Sequence, residues 1–80
     1  MDERIRAIMA RVLRLPAERI GEDAAIGGVP NWDSTAHMRM MLALEDEFGI
    51  VLNETQMVEM TSFERIRTTV EHLAKPSSAQ

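Results

Sequence analysis

Among the side chains able to do chemistry, the hydroxyl of Ser34 stands out by position. It follows Asp33, and the pair opens an amphipathic segment after a long irregular stretch. Asp and Ser at a helix start commonly serve as caps and nothing more. The same place also presents free amide hydrogens and the positive end of the helix dipole, where a phosphate joined to Ser34 would be well held. No G-x-S-x-G elbow surrounds the serine, so a reactive Ser34 is expected to be modified by another enzyme rather than to catalyse.

The other chemical candidates are weaker. His37 falls near the apolar face of the same segment and reads as a partly buried structural histidine. His72 falls near the end of the last helix, where a cation suits the dipole. With no cysteine and two distant histidines, a transition-metal site is not expected. Seven methionines suggest adaptable core filling, and Met38, Met41, Met57 and Met60 could together make a deformable core that admits an apolar chain. Glu45, Asp46 and Glu47 read as a solvated acidic face.

The elements that must position Ser34 follow from hydrophobic spacing. Ile5, Ile8, Met9, Val12 and Leu13 make one helical stripe, placing a first helix at residues 3–14 with Asp2 as N-cap and Pro16 as its bound. Pro16, Gly21, Gly27, Gly28 and Pro30 break any long period over residues 15–33. Leu15, Ile20, Ile26, Val29 and Trp32 are expected to pin this loop, with one short turn near residues 17–20. A second helix runs from Asp33 or Ser34 to Phe48, with Gly49 just past its end. Its inner face is expected to carry Met38, Met41, Leu44 and Phe48, with Phe48 buried among Leu13, Leu44 and Ile66. Thr35, Arg39, Leu42 and Asp46 form the opposite stripe.

Asn53 and Gln56 suit a capping box on a short third helix, with Met57, Val58 and Met60 on its apolar side. Thr61-Ser62-Phe63-Glu64 reads as a second box. It opens a fourth helix along Phe63, Ile66, Val70 and Leu73, ended by Lys75-Pro76. The expected fold class is all-α: a four-helix bundle with a long first loop and a short third helix. Residues 1–75 read as one domain and 76–80 as a flexible tail.

Size and composition narrow the function. A chain of 80 residues buries only about 60% of its unfolded surface, which leaves little room for a deep catalytic pocket. Nine basic residues face thirteen acidic ones, tyrosine is absent, and nucleic acid is an unsuitable partner. An acidic surface suits basic protein partners. No apolar run is long enough to span a membrane, and Met1-Asp2-Glu3-Arg4 does not look like a signal peptide. The expectation is a monomer in the cytoplasm.

Asn31-Trp32-Asp33-Ser34-Thr35 resembles the G-x-D-S-L signature of acyl carrier proteins at its Asp-Ser centre. Leu42-Ala43-Leu44-Glu45-Asp46-Glu47-Phe48-Gly49-Ile50 matches the downstream L-E-x-x-F-x-I pattern. Val12-Leu13-Arg14-Leu15-Pro16, then Ile20, looks like the end of that family's first helix and its loop entry. The likeness covers residues 3–74. It implies a carrier, not an enzyme. A phosphopantetheinyl transferase would move 4'-phosphopantetheine from coenzyme A onto Ser34, with Asp33 assisting. The thiol of the arm would then hold acyl groups as thioesters for acyl-loading and acyl-transferring enzymes.

The resemblance implies partner docking on the second helix, hence at Thr35, Ala36, Arg39, Leu42 and Asp46. The sequence departs from the family pattern in three ways. Thr35 replaces the usual Leu, Asn31 the common Gly, and Ala36 and Arg39 stand where fatty-acid carriers are usually acidic. The last departure points to a dedicated pathway. An aminoacyl or peptidyl carrier, or an unmodified helical interaction module, stays open as an alternative.

Overall fold

A computed structural model describes residues 2–74. In chain order the described residues form α1 (Asp2–Leu13), a 3-10 turn (Ala17–Arg19), α2 (Ser34–Phe48), α3 (Glu54–Glu59) and α4 (Phe63–Ala74). The all-α expectation holds. The tail expected at 76–80, and the Lys75-Pro76 stop, lie outside the described residues.

α1 buries Ile5, Ile8, Met9 and Leu13 on one face, with Val12 half-buried. It starts and ends one residue earlier than its stripe suggested. Asp2 lies in its first turn, where the carboxylate accepts a hydrogen bond from Arg67 of α4 at 3.3 Å. At the other end, Leu15 N–H bonds to Ala10 O at 3.0 Å and Arg14 N–H to Arg11 O at 3.3 Å. This is a Schellman ending, which needs its C′ residue in the left-handed region. Here that residue is Arg14, at φ 58°. α2 ends in the same way with a residue better suited to it: Gly49 at φ 64°.

The long loop is anchored by buried Ile20, Ala24 and Trp32, with Leu15 and Val29 half-buried. Ile26 is exposed, contrary to expectation. Its backbone does the pinning instead. Ile26 N–H donates to Thr61 O at 2.9 Å, and Ala24 O accepts from Phe63 N–H at 2.8 Å, around an isolated antiparallel bridge between Ala25 and Ser62.

That bridge also corrects the start of α4. The Thr61–Glu64 box does not form. Ser62 is the cap, its Oγ accepting from Arg65 N–H at 3.1 Å, and an arginine at that position offers no acceptor for the return bond. The box on α3 does form, with Gln56 N–H to Asn53 Oδ1 at 2.7 Å and Asn53 N–H to Gln56 Oε1 at 2.9 Å. Met60 is buried and Met57 half-buried, but Val58 faces solvent. Phe63, Ile66 and Val70 of α4 are fully buried, and Leu73 packs at the edge.

The inner face of α2 differs from the expected one. It carries Ala36, His37, Met40, Met41 and Leu44, while Met38 is 49% exposed. Met38 and Met40 are about 200° apart on a helix, so one core cannot take both. α1 runs antiparallel to α2: Arg4 lies beside Glu47, and the Leu13 carbonyl lies beside Asn31. Phe48 therefore sits near the start of α1, about 14 Å of helix rise from Leu13. It is half-buried on the rim, covered by the Arg4 guanidinium 4.5 Å from its ring centroid.

Candidate functional site

Ser34 is the first residue of α2 and is exposed. Asp33 is the N-cap, with extended backbone, and its Oδ1 accepts from Ala36 N–H at 2.9 Å. The Asp33 carbonyl takes His37 N–H at 2.8 Å. These two bonds leave the amides of Ser34 and Thr35 without a protein acceptor among the described residues. The Ser34 hydroxyl likewise has no partner there. A primary hydroxyl, two free amides and the positive helix end thus converge on one exposed point.

A relay that sequence reading missed holds this point in place. Buried Trp32, two residues before Ser34, donates its indole N–H to His37 Nδ1 at 3.0 Å. An indole can only donate, so Nδ1 is the bare nitrogen and the ring proton is on Nε2. Nε2 donates to the carbonyl of Met57 in α3 at 2.7 Å. The expected structural role for His37 holds in a specific form: it ties the loop end and the first turn of α2 to α3. A lone tryptophan five residues before a histidine was the available signal.

On the α1 side, Asn31 has φ 72° and donates its side-chain amide to Leu13 O at 2.7 Å. Here the family commonly has Gly. The left-handed backbone explains that preference, and asparagine is among the residues that tolerate it. Between these elements lies an open groove of ≈ 400 Å³, lined in part by Arg14, Asn31, Asp33, Thr35 and Arg39.

The docking residues expected on α2 divide. Thr35, Arg39 and Asp46 are exposed, and Leu42 is 57% exposed, so the four-residue stripe faces solvent. Ala36 does not. It is 8% exposed and packs into the core, leaving only its edge on the wall of the groove. Two of the three acids at the far end of α2 are also engaged internally. Glu45 Oε2 accepts from Leu52 N–H at 2.8 Å, and Glu47 pairs with Arg4 at 2.9 Å. The acyl-admitting methionine cluster is incomplete, since Met38 faces outward while Met41 and Met60 are buried.

A family model described as "Phosphopantetheine attachment site" matches residues 3–73. The chain belongs to the phosphopantetheine-attachment family. It is also 36% identical over 55 residues to an "Acyl carrier protein" of Saccharopolyspora erythraea, over 69% of this chain and 58% of that protein. The chain thus spans less than two thirds of that relative. Members of the phosphopantetheine-attachment family are carriers rather than enzymes, and their prosthetic group is a covalent 4'-phosphopantetheine.

The residues present fit such a group. A phosphate ester needs an accessible hydroxyl and donors for its oxygens, and the start of α2 offers both. No helix among the described residues is long and apolar enough to cross a membrane, and no cluster of metal-binding side chains occurs there.

Proposed function

We propose that residues 2–74 work as one acyl carrier unit with Ser34 as the attachment residue. The observation that carries this reading is the exposed, unpartnered Ser34 hydroxyl at the capped N-terminus of α2, inside the span matched by the family. In the attachment step, Ser34 Oγ loses its proton and forms a bond to phosphorus, and the adenosine 3',5'-bisphosphate portion of coenzyme A leaves. Asp33 fixes the first turn through Oδ1, and its second oxygen is available to the transferase reaction. Once attached, the arm supplies a terminal thiol that holds cargo as a thioester.

Thr35, Arg39, Leu42 and Asp46 would meet the transferase and the acyl-loading and acyl-transferring enzymes. Arg39 reverses the charge usual for general fatty-acid carriers, and this favours service in a dedicated pathway. Incubation with coenzyme A and a broad-specificity transferase should add one phosphopantetheinyl group to the intact mass, and Ser34→Ala should block the addition. An unchanged wild-type mass with several transferases would overturn the carrier reading.

A further inference from the structure

Two non-glycine residues have positive φ among the described residues, Arg14 at 58° and Asn31 at 72°. Both line the same groove beside Ser34. Left-handed backbone costs roughly 1–2 kcal/mol for an ordinary residue. At Asn31 the cost is offset by the 2.7 Å bond to Leu13 O. At Arg14 no such offset exists: the side chain forms no hydrogen bond or ion pair among the described residues. Glycine would serve the Schellman turn better, as Gly49 does on α2. A strained residue where glycine would fit better points to a use for its side chain.

The second cation of the groove, Arg39, is also free of any internal ion pair. Other arginines are unpaired too, but Arg14 and Arg39 are the ones that share a cleft with Asp33 and Thr35. The single carboxylate in the cleft, Asp33, has Oδ1 turned to the Ala36 amide. The groove beside Ser34 therefore sets two cations against the one carboxylate of Asp33, and the next acid along the Thr35–Arg39–Leu42 stripe is Asp46, about 18 Å of helix rise from Ser34. This local sign opposes the overall charge of −4.

We propose that the Arg14–Arg39 groove receives acidic side chains of the enzyme that takes the arm, with exposed Leu42 seated in an apolar socket beside them. The inference rests on Ser34 being the attachment residue. Cargo is an unsuitable occupant. It is carried at the far end of the arm, while the groove adjoins the first residues of its base. A partner that reaches Ser34 must cover Thr35, and with it the groove. Charge complementarity then selects carboxylates.

The test is a charge-swap cycle on protein already loaded at Ser34, with loading confirmed by intact mass. One probe enzyme is used, a fatty-acid ketosynthase, both with its basic carrier-docking side chains and with two of them replaced by glutamate. Wild-type carrier should react about tenfold faster with the glutamate form at low salt, and the carrier variant Arg14→Glu/Arg39→Glu should invert that preference. Both preferences should shrink at high salt. Equal rates for all four pairs, or a preference that the carrier variant does not invert, would overturn the proposal. So would a flat cycle accompanied by binding to phosphatidylglycerol vesicles that the variant loses, which would assign the groove to lipid headgroups. Failure of loading itself would instead count against Ser34.

Discussion

At the C-terminal end of α2 two of the three acids have partners within the chain. Glu45 holds the Leu52 amide, Glu47 holds Arg4, Arg4 covers Phe48, and Gly49 turns the chain so that Ile50 N–H meets Glu45 O at 3.2 Å. At the N-terminal end polar groups look outward. Ser34 has no partner, two amides are free, and Arg14 and Arg39 face an open groove. One helix thus joins a closed end that stabilises the bundle to an open end whose polar groups lack partners among the described residues. Substitutions at the closed end should change stability without changing chemistry at Ser34, and those at the open end should change stability less.

The largest effect is expected at Leu44, which is fully buried on the inner face of α2. Leu44→Ala should cost about 2–5 kcal/mol in denaturant unfolding, a large part of what so small a domain has. At a temperature where the variant is still folded, its rate of phosphopantetheine transfer should match wild type. A lowered transfer rate in fully folded variant would show that the two ends are coupled.

Glu45 comes next. Glu45→Ala leaves the Leu52 amide without its acceptor beside a buried side chain, and should cost about 1–3 kcal/mol. This acid belongs to the run that sequence reading assigned to a solvated face. A loss too small to resolve would return it to that role.

These residues show what was legible in the sequence. Helix number and order, the turn at Ala17–Arg19, the box on α3 and the cap at Asp33 could be read because each depends on contacts within a few residues. The choice of Met40 over Met38, the rim position of Phe48 and the inward turn of Ala36 could not. Each is set by where α1 crosses α2, a contact between residues more than 20 apart. The groove is likewise built from residues far apart in the chain, and Glu45 reaches an amide seven residues on, past the end of its own helix. Nothing near Arg14 in the sequence signals its left-handed backbone or its neighbour Arg39 across the groove. The place of Ser34 at a helix start was legible because a capped start depends on neighbouring residues alone.

At the open end the stability effects should be smaller. Asp33→Ala removes the cap on Ala36 N–H and should cost about 1 kcal/mol. It should slow transfer to Ser34 by more than that loss of folding explains, read as a lower kcat/KM at a temperature where both proteins are folded. The smallest effect should have the opposite sign. Arg14→Gly relieves left-handed strain and should raise stability by about 0.5–1 kcal/mol. A decrease would mean that the Arg14 side chain packs in the folded state and is not held ready for a partner.

The central claim is that the Ser34 hydroxyl is the one the chain offers. Tryptic cleavage after Arg19 and Arg39 isolates residues 20–39, in which Ser34 and Thr35 are the only hydroxyl side chains. Fragmentation of this peptide after treatment with coenzyme A and a transferase should place the whole added mass on Ser34, with none on Thr35 and none on the peptide that holds Thr55, Thr61 and Ser62. Modification at any of those four residues, or a Ser34→Ala protein that still gains the group, would contradict the account.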